Sequence, residues 1–498
     1  MPLRATARVC LIVAATLSAA CSKAGASSSA GPGDAGDAGA QAATLESLTV
    51  SSGILRPPFD PDVTDYDVTS LNSLYPISVT ATTSVPAAKL TIHGAQAKSG
   101  AASTFTLKPR EDFTAVVSGA GLTSSTYTVH YVPSDFPAYT VTSSAGAGTE
   151  DVLLTPDGEY LLIMDRAGDP LYYRTFLPND VEDLQQAELP DGGKQYTVTV
   201  GVTDPDGWTL GVDHVMDDQF NDLADYQLLP YAQHGMLQAE GHEFLVLGDQ
   251  HYVAMSYVQR TLDLSGYNPS WSNQAVVMSN VMQEVDHGNV LVEWDSANVP
   301  SLYADSTLAS LLSMTALTDY LHLNSISIDP SDGNFILSFR HTSSIVKVNR
   351  TTAAIMWTLG GMEDQFGLTA DQIFSFQHHV RVQSDGSMTV FDDGDTLVND
   401  LIAQAHGSRV LSFVLDQVNH KVTSFNVLYT KPSAQPPSGL MGSAVPLSAG
   451  RLFIGWGGWY TADLAPAATE IVGGAPVWSL EFTTPGVFSY RALPVTAP

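Results

Sequence analysis

Along much of this chain apolar and polar residues alternate with a period of two, as in ISVTATTS, AKLTIHG, FTAVVSG and STYTVHYVP. That spacing puts successive side chains on opposite faces of a strand. From Leu45 to about Pro133 such runs are short, rich in Val, Thr and Tyr, and separated by Gly, Pro, Asn or Ser, which predicts a small β-sandwich over residues 44–134. From about residue 138 a second rhythm begins, a Gly followed by an apolar strand ending in an aromatic or acidic residue. It recurs at Gly158, Gly207, Gly241, Gly288, Gly333, Gly386 and Gly450, with separations of 49, 34, 47, 45, 53 and 64 residues. Propeller blades recur at roughly 40–50 residues, each a small sheet that needs neighbours to bury its faces. The expectation is an all-β chain: a six-bladed β-propeller over 138–498, preceded by the small sandwich.

Composition agrees with a turn-rich β protein: 44% hydrophobic, 15% charged, 40 Gly and 28 Pro in 498 residues. The charge narrows the partners. With 52 Asp+Glu against 21 Lys+Arg the net charge is −31 at pH 7, which repels nucleic acid and anionic lipid over the general surface. An anionic substrate would need a local positive site built from few cations.

The first residues add an address. Arg4 and Arg8 precede an apolar run from Val9 to Ala20 and then Cys21, the layout of an export signal over 1–21, too short to remain as a spanning helix. LSAAC resembles a bacterial lipoprotein box, with Ser18 where Leu is usual, so Cys21 is the expected lipidation site and the protein is expected at the cell envelope, in the periplasm or outer membrane. Without lipidation it would be secreted. Cys10, the other cysteine, would leave with the signal, and no disulfide follows. Residues 22–43, rich in Gly, Ala and Ser, read as a tether.

Polar groups far apart in sequence can meet in a propeller channel. Four residues stand in or beside the recurring strands: His234 in QHGMLQAEGHEFLVL, His322 in DYLHLNSISIDP, Arg340 in GNFILSFRHTSSIVKVNR and His378 in FSFQHHV. In DYLHLNSISI the polar phase slips at Asn324–Ser325. A bulge there would restore one polar face, whereas a strand ending at Asn324 needs none. A turn through Pro330, Asp332 and Gly333 would bring Arg340 beside His322. His378 and His379 are neighbours on a strand and point to opposite faces, and alternation does not say which faces a channel.

Residues 45–133 resemble the bacterial cadherin-like β-sandwich domain, through Pro58–Phe59, Tyr66–Val68 and Tyr127–Val129. The ordered run DYLHLNSISI, SFR, IMWTLGG, QHHV and FDDG resembles the bacterial arylsulfate sulfotransferase family. That resemblance implies transfer of a sulfuryl group between phenolic sulfate esters and phenols through a transiently sulfated histidine, without a nucleotide cofactor. Carried over by position, the nucleophile falls on His378, the other site residues on His322 and Arg340, and an earlier His best on His234. There Gly235 replaces an acidic neighbour and His242 lies close enough to compete. His379 stands where the family has Asp, and Asp393 where it has Asn. No G-x-x-x-x-G-K-[ST] loop occurs, in keeping with no nucleotide donor. No metal is expected, because Arg340 among the histidines would oppose a cation. Two alternatives remain: a catalytically silent surface propeller that binds ligands, and a hydrolase that passes sulfate to water.

Overall fold

The computed structural model describes residues 41–205, 207–394, 407–459 and 464–495. The signal over 1–21, its Cys21 and most of the tether lie outside the described residues. Gln41–Ala43, counted with the tether by composition, instead form a strand that pairs in parallel with Leu122–Ser124. No described helix is long and apolar enough to cross a membrane.

The alternating runs of the N-terminal region form two sheets. Leu45–Val50, Ile77–Thr83 and Ala102–Phe105 make one; the other centres on Phe113–Ser118 and Leu122–His130. Ile77–Thr83 alternates strictly between buried and half-exposed positions, as a strand with one face in a core must. Phe59 packs on Tyr66 and Tyr127, with ring centres 6.0 and 6.1 Å apart, so the Pro-Phe turn and the two Tyr strands are one packed unit.

Beyond Tyr139 the strands of the described residues form six antiparallel sheets in chain order. The first and the last are closed by distant parts of the chain. Tyr139–Ser143 adds to Ala475–Phe482, and Ser489–Val495 lies against Asp151–Pro156. The two ends are therefore locked by backbone hydrogen bonds. The seven Gly-apolar strands do not mark one strand per sheet: those after Gly241 and Gly288 belong to the same sheet, as Leu245–Gly248 and Asn289–Asp295. The recurrence reflects the Gly turns of antiparallel hairpins, several of which have positive φ, such as Gly158, Gly288 and Gly333.

The N-terminal unit is joined to the rest by strand addition. Ser70–Asn72 extends the sheet of Pro170–Arg174. Tyr173 donates from its hydroxyl to the Val68 carbonyl at 3.0 Å, and Arg110 pairs with Asp169 at 2.8 Å.

Candidate active site

Two neighbouring sheets position the central residues. Leu323–Ile328 and Phe335–Phe339 form a hairpin whose register shifts between Leu323 and Ser325, a bulge at Asn324. Beyond the last ladder pair, the Arg340 N–H donates to the His322 carbonyl and the His341 N–H to the Leu321 carbonyl, both at 3.0 Å. His322 is thereby held at φ 59°, a left-handed conformation that a non-Gly residue keeps only when its surroundings enforce it. Ser325 and Ser327 do not face a channel. Their hydroxyls accept from Val380 N and Val382 N of the next sheet at 3.0 and 3.2 Å. Gln377 completes the join, its amide donating to Ser338 Oγ, Phe339 O and Ser344 O at 3.0–3.1 Å. His378, the next residue, inherits that fixed position.

His378, His322 and Arg340 line one cavity of about 340 Å³, together with His242, His341 and Asp319. Trp208, Leu317, Leu440 and Met441 supply an apolar wall. The ring centres of His242 and His322 are 4.8 Å apart, and those of His322 and His341 4.9 Å.

The hydrogen bonds assign protons. Met441 N–H donates to His378 Nε2 at 3.3 Å, so that nitrogen is an acceptor. The proton sits on Nδ1 and is given to Asp393 Oδ2 at 2.7 Å. Arg340 donates to His341 Nε2 at 2.8 Å, and His341 Nδ1–H donates to the Asp319 carbonyl at 2.6 Å. Arg340 also donates to the Gly439 carbonyl at 3.0 Å and lies 4.6 Å from the Phe376 ring centre. These contacts, from segments flanking two sheets and from a loop, aim its fork.

Charge is distributed unequally among the imidazoles. Burial, with Arg340 and neighbouring imidazoles adding to it, pushes His378 well below the ordinary 6.5. Burial does the same to His322, helped by His242 and Arg340, and takes His341 down to about 3. His242 goes the other way: burial opposes its charge, but Glu240, hydrogen-bonded to its Nδ1 at 2.6 Å, and Glu182 outweigh burial and raise it. Beside the Arg340 guanidinium the surroundings thus favour the charged form of His242 and the neutral forms of His322, His341 and His378. Asp319, 2.5 Å from His322 Nδ1, is raised by burial against the opposing pull of His341, His242 and Arg340.

Behind the site lies a buried ionic network that sequence reading missed. Arg491, 1% exposed at its side chain, bridges Asp183 at 2.8 Å and Glu243 at 3.1 Å. It also donates to the His242 and Asn324 carbonyls. Arg381 adds a second cation to Glu243 at 2.7 Å.

His234 is not brought into the cavity. It sits on a narrow turn bridged to Tyr231 and bonds Asp295 at 3.1 Å and Arg260 at 2.7 Å. His242 occupies the place expected of it, because the chain after Ala239–Glu240 turns inward at Gly241, against which Glu182 packs too closely for a Cβ. His379 is turned from the cavity by a second bulge, between His378 and Arg381, and its Nδ1 accepts from Ala444 N at 3.3 Å. Asp319, His322 and His341 present ligand atoms within 4.8 Å of one another, enough to hold a metal ion. The guanidinium bonded to His341 works against a cation there.

Comparison with known proteins gives two family matches. The arylsulfotransferase (ASST) family profile matches residues 233–459, a segment carrying His242, His322, Arg340 and His378. The cadherin-like beta sandwich domain matches residues 45–132. Curated proteins give no match. Among solved structures, a protein of unknown function from Bacteroides caccae is 11% identical, covering 70% of this chain and 99% of its own, with a TM-score of 0.41. A quinonprotein alcohol dehydrogenase-like protein from Bacteroides thetaiotaomicron is 10% identical, covering 89% and 99%, with a TM-score of 0.35. A β-propeller domain from Myceliophteria thermophila is 9% identical, covering 70% and 90%, with a TM-score of 0.37.

Proposed function

From an arylsulfotransferase-family segment that carries the clustered His and Arg side chains, we propose that this chain is an exported aryl-sulfate sulfotransferase working by ping-pong transfer through a sulfohistidine at His378. The observation that carries this reading is the state of His378: neutral, with its proton given to Asp393 and its Nε2 lone pair turned to the cavity lining at Met441. An imidazole in that state is a nucleophile without further activation.

Sulfuryl transfer asks for in-line attack and for donors around three non-bridging oxygens. Nε2 attacks sulfur, the N–S bond forms as the aryl S–O bond breaks, and the phenolate leaves with the proton of the His242 imidazolium. The sulfated ring carries a positive charge, which Asp393 offsets across the Nδ1 hydrogen bond. In the second half a phenol gives its proton to neutral His242 as its oxygen attacks sulfur, the N–S bond breaks, and His378 returns neutral. Arg340 receives sulfate oxygens with its fork. Asp319, bonded to His322 Nδ1 at 2.5 Å, fixes the orientation of the His322 ring beside the sulfate oxygens. Trp208, Leu317, Leu440 and Met441 receive the aromatic ring. Phenolate is a good leaving group, so aryl rather than alkyl sulfates suit the site.

Incubation with p-nitrophenyl sulfate and a phenol acceptor should release nitrophenol in an acceptor-dependent way, and a sulfated peptide containing His378 should be trapped by mass spectrometry. Release that continues in His378→Ala, or that ignores the acceptor, would overturn the role of His378 or favour a hydrolase. A second reading, a binding module without turnover, draws on the Met441 N–H that already occupies Nε2; it predicts ligand binding with no labelled histidine.

We read the six sheets as six propeller blades, supported by the interlocked strands of the two chain ends; a crystal structure in which they do not close about one axis would reject this. Lipid attachment at Cys21 and residence at the cell envelope rest on the N-terminal sequence, and palmitate labelling that survives Cys21→Ala would remove them.

A further inference from the structure

Between the strands Lys421–Thr430 and Ser443–Pro446 runs the segment KPSAQPPSGLMG, with three prolines. Its far end belongs to the transfer cavity. The Gly439 carbonyl accepts from Arg340 at 3.0 Å, Leu440 and Met441 line the wall, and the Met441 N–H meets His378. Prolines lack an N–H, so such a loop has few hydrogen bonds of its own with which to hold that position. The aim of Arg340 therefore depends on what ties the loop down.

Its near end supplies the tie. Lys431 is 5% exposed, and its ammonium reaches back along the loop to donate to Ser438 Oγ at 3.2 Å. The ring centres of Trp456 and Trp459 lie 4.8 and 5.4 Å from the same nitrogen. Buried Ser438 is bonded a second time: its N–H donates to Ser408 Oγ at 2.7 Å, and that hydroxyl donates to the Asp393 carbonyl at 2.8 Å. One chain of contacts thus runs from Lys431 through Ser438 to the backbone of Asp393, the partner of His378, and Gly439, the acceptor of Arg340, is the residue after Ser438. Lys431 itself is not in the cavity lining. Burying an ammonium is costly, and a well-packed apolar side chain often serves a core better. Two tryptophan faces and a hydroxyl offset that cost, which an apolar residue of similar length would not incur, so the cation is explained by what it holds rather than by stability.

We propose that Lys431 is a positioning residue for the sulfate group: through Ser438 it holds the Gly439 carbonyl that aims Arg340, and so sets how tightly the sulfate of the donor is received. The inference rests on the transfer reaction above for the identity of the anion; the positioning itself is read without turnover.

Phenyl sulfate and phenol share a ring and differ in the anion, and their calorimetric binding to the full chain in a His378→Ala background tests it. In Lys431→Met, phenyl sulfate should bind at least about tenfold more weakly while phenol changes by no more than about twofold. Ser438→Ala removes the other end of the same contact and should show the same selective loss. The two together should lose little more than the larger single loss, because a shared contact is removed only once. With His378 present, kcat/KM for p-nitrophenyl sulfate should fall at least about tenfold in each single variant. Thermal melts check folding, and Ser438→Ala carries the test if Lys431→Met does not fold. Absence of transfer in the wild type, with phenyl sulfate still bound in a Lys431-dependent way, would overturn the transfer reaction and keep the positioning role. Unchanged phenyl sulfate binding, equal losses for phenyl sulfate and phenol, or additive losses in the double variant would overturn the positioning role.

Discussion

His378 Nδ1 and Asp393 Oδ2 lie 2.7 Å apart, 15 residues apart in sequence and both buried. Asp393 follows Met388–Asp392, the strand that pairs with the start of the His378 strand, so the acid partner reaches the imidazole across the sheet rather than from the neighbouring position in sequence. His379, where an acid was expected, is replaced in that duty by Asp393.

Asp393→Asn keeps the size of the partner but no longer fixes the proton on Nδ1 or offsets the charge of the sulfated ring. We expect kcat to fall about 10²- to 10⁴-fold with little change in KM, measured with p-nitrophenyl sulfate and phenol.

His379→Ala should leave kcat within about threefold, because the side chain does not line the cavity. It should cost stability of about 1–3 kcal/mol, since the buried Ala444 N–H loses its acceptor. Urea denaturation separates this from a catalytic effect.

His242→Ala and His234→Ala form a paired test of which histidine the cavity uses. The first removes the cation that protonates the leaving phenolate and should lower kcat by about 10²-fold or more. The second removes a residue bonded to Asp295 and Arg260 and should change kcat by no more than about threefold.

The pH profile follows from two opposite shifts. His378 must be neutral, and its lowered pKa keeps it so well below pH 6.5; His242 must be protonated, and its raised pKa keeps it so above 6.5. Activity should therefore extend on both sides of pH 6.5, with the alkaline limb lost as His242 deprotonates. In His242→Gln that alkaline limb should disappear from the kcat/KM profile.

Arg491→Met should be strongly destabilising, by about 3–5 kcal/mol, because Asp183 would lose its ion pair and Glu243 one of its two cations in a buried setting. Denaturant titration reads this directly.

Much of the architecture was legible beforehand because strand alternation is a local property. The runs of the N-terminal region became the expected two-sheet unit, and the phase slip in DYLHLNSISI became a bulge at Asn324. The Gly-apolar recurrence was a weaker guide, since a Gly turn marks a hairpin but not its place in a sheet. His322, Arg340 and His378 meet because the motif order carried three segments of neighbouring strands. His341 was overlooked beside Arg340: alternation would have put it on the opposite face, but both residues lie past the end of Phe335–Phe339, where alternation no longer holds. Asp319 and Asp393 were overlooked because an acid in a chain with 52 of them carries no signal until its partner is known.

The sequence by itself determined that the chain is built of strands, where the polar phase breaks, and which few basic and imidazole residues stood in otherwise apolar surroundings. Local periodicity and side-chain chemistry suffice for that. Only the tertiary structure decided that His242 rather than His234 enters the cavity, that Asp393 holds the His378 proton, and that one imidazole is driven toward charge while three are driven from it. Those outcomes depend on burial and on charges a few ångströms apart, contributed by segments separated by up to hundreds of residues, and no local pattern encodes such distances.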